Sequence, residues 1–244
     1  MKKILLASGC SFTDKNFKSD FHPEMDTRWP MWPELLAKKL NMNCINLGQS
    51  GSGNEYIYST LLDEIAKRGD NIGLVVAAWS QCQRKDWRSQ MKSHPYLNIW
   101  HNNAHFCNKV VGRVGDNDMY AYVNKSLRYY YSLQEVCKSK KIPLKHFQML
   151  HLFRGYTYDP TTGLKKEKTE KRKELLEAVH KSPYFNLMDD DFIGWPTDTS
   201  LGGFNFKQEV LGGYESKKYD VSKQDSHPNA KGQEKIAEFI YERL

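Results

Sequence analysis

The feature that most constrains this chain is a rhythm: short apolar runs stop at small polar residues, and segments with helical apolar spacing follow them. Ile4–Ala7 passes into Ser8-Gly9-Cys10-Ser11, and Leu74–Trp79 passes into Ser80-Gln81. Uninterrupted apolar runs of this length suit strands buried on both faces. Further strands are predicted over Asn43–Leu47 and Leu144–Leu152. Helices are predicted over Trp32–Leu40, Glu55–Lys67, Tyr120–Lys140, around Lys165–His180 and over Asn229–Leu244. Pro30 and Pro33 stand near the start of the first helix, where a missing amide donor costs little. Strands alternating with helices imply an α/β chain with a mainly parallel sheet covered on both faces.

At 244 residues the chain fits one domain, because single cores usually stop growing near ~250 residues. We therefore expect a single domain over 1–244. Two stretches break the rhythm, Gln83–Asp118 with its Trp, His and Asn, and Asp189–Gln224 with Gly202-Gly203 and Gly212-Gly213. They are expected as loop insertions near 83–118 and 189–224, and such excursions at strand carboxyl ends tend to frame ligand crevices.

Composition excludes several classes. No apolar run approaches the ~20 residues of a membrane span, so no membrane partner is expected. The N-terminal apolar stretch is too short for a secretory signal and reads as a strand. The five cysteines form an odd set without a C-x-x-C pair, and no His spacing resembles zinc ligation. A reducing, cytoplasmic compartment follows, with no structural metal. The net charge of +7 raises the question of nucleic acid, but the densest basic segment, Lys165–Lys173, reads KKEKTEKRK. Its interspersed Glu residues describe a solvated helix face, and no nucleic-acid partner is expected.

Three segments carry chemistry-bearing residues. Ser11 follows the first strand, either as a turn or cap residue or as a side chain presented at the sheet edge. Asp225-Ser226-His227-Pro228-Asn229 precedes the last helix; a cap explains Asn229 or Ser226 but not the adjacent Asp and His. A carboxylate beside a histidine fixes its tautomer and supports the imidazolium formed when it takes a serine proton. Between them, Asn46–Asn54 is glycine-rich, follows a strand and opens a helix. Its amides could converge on an anion, or it could be a plain turn; the Lys-Ser/Thr of a P-loop and the G-x-G-x-x-G of a dinucleotide site are absent.

Together these blocks resemble the SGNH (GDSL-like) hydrolase superfamily, in order and over nearly the whole chain. The resemblance implies a flavodoxin-like three-layer α/β/α sandwich without a cofactor. It makes Ser11, in Gly9-Cys10-Ser11, the implied nucleophile, with its own amide as an oxyanion donor, and Gly51 the implied second donor. Asp225 and His227 resemble the C-terminal acid–base block, with Gly232 and a helix after it. The chain departs from the pattern in three ways. Cys10 stands where Gly-Asp-Ser has Asp. The acid is two residues before the histidine rather than three, where Gln224 stands, a spacing also found in related polysaccharide O-acetyltransferases. Trp79-Ser80-Gln81-Cys82 replaces the third block, Gly-x-Asn-Asp, so Ser80 or Gln81 is the candidate for the missing Asn. The Trp-Ser...Arg84 variant resembles divergent, bacteriophage-type members.

The expected activity is a serine ester hydrolase that removes a small acyl group such as acetyl from a carbohydrate or similar alcohol through Ser11, His227 and Asp225. An O-acyltransferase with the same residues is the nearest rival; a non-catalytic carbohydrate-binding or virion-associated protein is the rival from another class. A thiolate nucleophile at Cys10 is a further alternative. His94, His101, His105, His146, His151 and His180 are read as structural, including the His101-x-x-x-His105 pair. Trp87, Trp100 and Trp195 are read either as a sugar-stacking platform or as packing.

Overall fold

A computed structural model describes residues 2–91, 94–101, 119–153, 156–158, 165–167, 169–213 and 217–244; of residues 87–91, 94–101, 156–158, 165–167 and 169–171 it describes the backbone alone. In chain order the elements are β1 (Ile4–Ser8), α1 (Trp32–Lys39), β2 (Asn43–Asn46), α2 (Asn54–Arg68), β3 (Ile72–Trp79), β4 (Trp87–Met91), β5 (His94–His101) and α3 (Met119–Ser139). They continue with β6 (Leu144–Gln148), β7 (Tyr156–Tyr158), β8 (Lys165–Glu167), α4 (Thr169–His180), β9 (Phe192–Ile193), α5 (Phe206–Glu209) and α6 (Ala230–Tyr241). Among the described residues, no helix is long and apolar enough to cross a membrane.

Five strands form one parallel sheet in the order β2-β1-β3-β6-β9. This is the doubly wound order in which chain direction across the sheet reverses beside β1, and ligands collect at the carboxyl ends of the strands there. Period-2 alternation sorts the side chains into two cores. Val75, Ala77 and Trp79 of β3 face α2, α3 and α4, together with Leu6 and Phe192. Leu74, Val76 and Ala78 face α1, α5 and α6, together with Leu5, Ala7, Phe147 and Ile193. The three-layer α/β/α sandwich expected from the sequence is therefore present.

The elements differ from expectation where local pattern is weakest. The segment 83–118 contains an antiparallel β4–β5 ribbon, and 189–224 contains β9 and α5. The sequence pattern alone predicts irregular loops for both. The charged helix begins at Thr169 rather than near Lys165, because Lys165–Glu167 pairs with Tyr156–Tyr158. The strand after Pro143 leaves the ladder at Gln148 instead of running to Leu152.

α2 shows how loop chemistry serves the fold. Its N-cap is Gly53, which has no side chain to accept the orphan amides. Asp86, from the loop after β3, takes that role: Gly53 N and Tyr56 N donate to its two oxygens at 2.9 and 3.0 Å. Burial raises the Asp86 carboxyl above its usual range despite these donors.

Candidate active site

The chain leaves β1 through a tight turn, with Thr13 N and Asp14 N both donating to Cys10 O. That turn decides between Cys10 and Ser11. Cys10 points into the α1/α6 core and is fully buried, whereas Ser11 keeps 9% of its surface and turns outward. The thiolate alternative is thereby set aside: Cys10 packs with the core around Leu5 and Trp32, and His227 meets Ser11 instead.

The segment after α5 returns as a narrow hairpin. Val221 N donates to His227 O, Asn229 N to Tyr219 O and Ser222 N to Asp225 O, around a bridge between Asp220 and Pro228. Asn229 then caps α6, accepting from Gly232 N at 3.0 Å. The hairpin carries Asp225 and His227 over the β1 turn. His227 Nε2 lies 2.9 Å from Ser11 Oγ, and His227 Nδ1 lies 2.5 Å from Asp225 Oδ1. A carboxylate can only accept, so Nδ1 carries the ring proton and Nε2 is left to accept from the Ser11 hydroxyl.

The surroundings favour a charged Asp225. Burial works to raise its carboxyl, but hydrogen bonds from His227 and Ser19 outweigh this and hold it at about 2. Ser19 Oγ donates to Asp225 Oδ2 at 2.6 Å, and His227 N donates to Asp225 Oδ1 at 3.1 Å. His22 Nε2 lies 2.7 Å from Ser222 Oγ, which accepts the Asp225 amide. Phe12 and Phe17 flank the His227 ring, with centroids 5.1 and 4.5 Å away. Ser19, His22 and Phe17 were not singled out in the sequence. They lie in the long aperiodic stretch between β1 and α1, where only the position of Ser19 next to the acid reveals its use.

The glycine-rich turn after β2 is drawn against the β1 turn. A Cβ at Gly48 would stand 2.6 Å from the Thr13 carbonyl carbon, so only glycine lets the two turns close. Asp14 cements them, accepting from Ser50 N and Ser50 Oγ at 2.8 and 2.7 Å. Gly51 has φ +81°, a backbone conformation that favours glycine. Neither its amide nor that of Ser11 is taken by an acceptor among the described residues.

At the end of β3, Ser80 is clamped. Its amide donates to Asn54 Oδ1 at 2.7 Å, and its carbonyl accepts from Asn54 Nδ2 at 3.2 Å and Gln148 Nε2 at 2.8 Å. Asn54 Nδ2 also approaches Ser126 Oγ and Tyr130 Oη, so one buried amide joins α2, β3 and α3. Ser80 Oγ is fully buried without a partner. Gln81, the next residue, retains slight exposure, and Arg84 Nε points at its Oε1 from 3.4 Å while Arg84 Nη1 donates to Ser52 O.

The remaining sequence candidates divide. His146 is buried in the core and accepts from Trp79 Nε1 at 3.2 Å; burial pushes its imidazole down to about 3. Trp195 packs against Phe185 and Phe192 and donates to Phe185 O, which is the packing role. The side chains of Trp87, Trp100, His94 and His101, and residues His105 and Cys107, lie outside the described residues.

No family model matches the chain, and no curated protein sequence matches it significantly. Solved structures do match. A protein assigned to the lipolytic G-D-S-L family from Desulfitobacterium hafniense DCB-2 superposes with a TM-score of 0.51 at 13% identity, over 99% of each chain. The chain has the SGNH (GDSL-like) hydrolase fold. A psychrotrophic esterase from Pseudoalteromonas sp. (TM-score 0.46, 12% identity, 99% of this chain and 96% of that one) also matches. So does an acetylxylan esterase from Geobacillus stearothermophilus (0.47, 13%, 99% and 93%).

Proposed function

We propose that the protein is a divergent SGNH-type serine ester hydrolase that removes a small acyl group from an alcohol. The carrying observation is the unbroken line from Ser11 Oγ to His227 Nε2 at 2.9 Å and from His227 Nδ1 to Asp225 at 2.5 Å. Ser11 Oγ attacks the ester carbonyl carbon while its proton passes to His227 Nε2, and Asp225 balances the imidazolium. His227 returns that proton to the leaving alcohol as the tetrahedral adduct collapses. Water, deprotonated by His227, then releases the acid and restores Ser11.

The free amides of Ser11 and Gly51 serve as oxyanion donors in this reading, and the third block supplies one more. Of Ser80 and Gln81, Gln81 fits better, because Ser80 is sealed and its backbone groups are already engaged. The low exposure of Ser11 and the Phe12 and Phe17 walls favour a small acyl group such as acetyl. A carbohydrate alcohol is the reading of the aromatic, polar 83–118 segment. The Asp225-x-His227 spacing also suits O-acyl transfer; added sugar competing with water for the acyl group distinguishes the two.

The test is intact-protein mass after treatment with a fluorophosphonate, with peptide mapping. Single labelling at Ser11, abolished in Ser11→Ala and His227→Ala, is the expected result. A folded protein that stays unlabelled overturns the hydrolase reading and favours a binding protein on the same fold.

A further inference from the structure

Among the described residues, one lysine–carboxylate pair outside this constellation is fully buried. Lys207 Nζ lies 2.5 Å from Asp220 Oδ1, and both side chains are fully buried. Lysine is almost never buried this way unless it is paired. Such a pair is a poor means of adding stability, since desolvating two charges costs about what their attraction returns and apolar replacements are often no worse. What it adds is direction, a short contact between two fixed atoms. The location of those atoms therefore matters.

Lys207 stands on a rigid platform. Phe206, its neighbour in α5, stacks on Phe147 of β6 with centroids 3.8 Å apart and meets Phe239 of α6 edge-on at 5.3 Å. The Lys207 amide donates to Met149 O, just beyond β6, and its carbonyl accepts from Gly213 N. Asp220 stands at the base of the hairpin that carries Asp225 and His227. It bridges to Pro228, and its carbonyl accepts from Asn229 Nδ2 at 2.8 Å. The hairpin's own apolar anchorage is limited to buried Pro228, half-buried Tyr219, which packs against the core beside α1 and α6, and half-buried Val221. Asp220 Oδ2 is buried without a hydrogen bond, with the Lys217 ammonium 3.8 Å away, so the short Lys207 contact is what fixes this carboxylate.

We infer that Lys207 and Asp220 are positioning residues, which lock the Asp225–His227 hairpin to the sheet so that His227 Nε2 reaches Ser11 Oγ. Its catalytic consequence rests on the hydrolase reading; the placement of the hairpin does not. A misplacement of about 1 Å can cost ~10²-fold in rate, which sets the scale of the effect.

The experiment compares wild type with Lys207→Met/Asp220→Leu, which replaces the pair by apolar side chains of similar size, and with Asp220→Asn. Three quantities are read: the thermal midpoint, the fluorophosphonate labelling rate of Ser11, and the low-field proton resonance of His227 Nδ1–H, assigned by its loss in His227→Gln. The expected result is a double variant that melts no lower than wild type, labels about 10- to 100-fold more slowly and loses the resonance. A folded double variant that keeps wild-type labelling and the resonance overturns the inference. If wild type itself does not label, the hydrolase reading falls, and the resonance alone decides: its loss in the double variant upholds the positioning role and its retention overturns it. If the double variant does not fold, folded Asp220→Asn decides by the same two signals.

Discussion

The two halves of the Ser11–His227–Asp225 line are held by different physics. The Ser11 half is built mainly from backbone, a turn closed on Cys10 O and a glycine at position 48 that lets a second turn touch it, with one side chain, Asp14, tying the two. The His227 half is built from side-chain charge, with Asp225 held by Ser19 and His227, and Asp220 held by Lys207. The backbone-built half follows directly from two adjoining parallel strands, so its geometry belongs to the sheet. The charge-built half hangs on a hairpin outside the sheet and depends on a handful of side-chain contacts. Mutations in the first half are therefore expected to appear as lost stability, and in the second as lost activity in a folded protein.

The largest expected effect removes the contrast altogether. On the proposed hydrolase reading, Ser11→Ala and His227→Gln are each expected to lower ester turnover by about 10⁴- to 10⁶-fold, because members of such a unit fail together; steady-state kinetics on a small acetyl ester checks this. Asp225→Asn follows with a loss of about 10²- to 10⁴-fold in a protein that still folds, since the amide no longer enforces the Nδ1–H tautomer. Asp14→Ala then tests the other half. It removes the acceptor of Asn16 N, Ser50 N and Ser50 Oγ and is expected to cost about 3 kcal/mol in urea unfolding. An Asp14→Ala protein of undiminished stability would erase the distinction between the halves.

Acid stability sharpens the comparison from beneath. His146 titrates at about 3 in the folded chain against 6.5 as a free side chain, so between these values the unfolded chain holds a proton that the folded one lacks. Stability therefore rises with pH across that window, and urea unfolding is expected to show about 2 kcal/mol less stability at pH 5 than at pH 7. Asp225 acts in the same direction lower down: its contribution is present above 3.8 and is lost as pH falls towards 2. His146→Leu flattens the upper part of the profile. The smallest effect is Ser19→Ala, with turnover down about 5- to 20-fold and the protein still folded, as expected for one hydrogen bond to a charged group.

Legibility in the sequence follows the same division. Asp225 and His227 could be read because a cap explains neither of them at the entrance to the last helix, whereas Ser11 alone reads equally as a turn residue and is singled out only by its resemblance to the family's first block. The central strands could be read because burial on both faces leaves continuous apolar runs. Ser19 and His22 could not, lying in a stretch without periodicity, and Lys207 could not, because a lysine reads as solvent-facing until its partner is found in three dimensions. Asn54 looks like an ordinary residue opening a helix, yet its side chain reaches Ser80, Ser126 and Tyr130. Phe192–Ile193 is too short for any periodic signal.

That brevity has a consequence at the margin of the sheet. An outermost strand offers a row of unused amides and carbonyls on which another chain can build, and long flat margins invite fibrous association. Here one margin is β9, two residues long, and the other is β2, four residues long. Neither offers a template long enough to register an incoming strand, so the central sheet is protected from edge-to-edge growth by the shortness of its flanks.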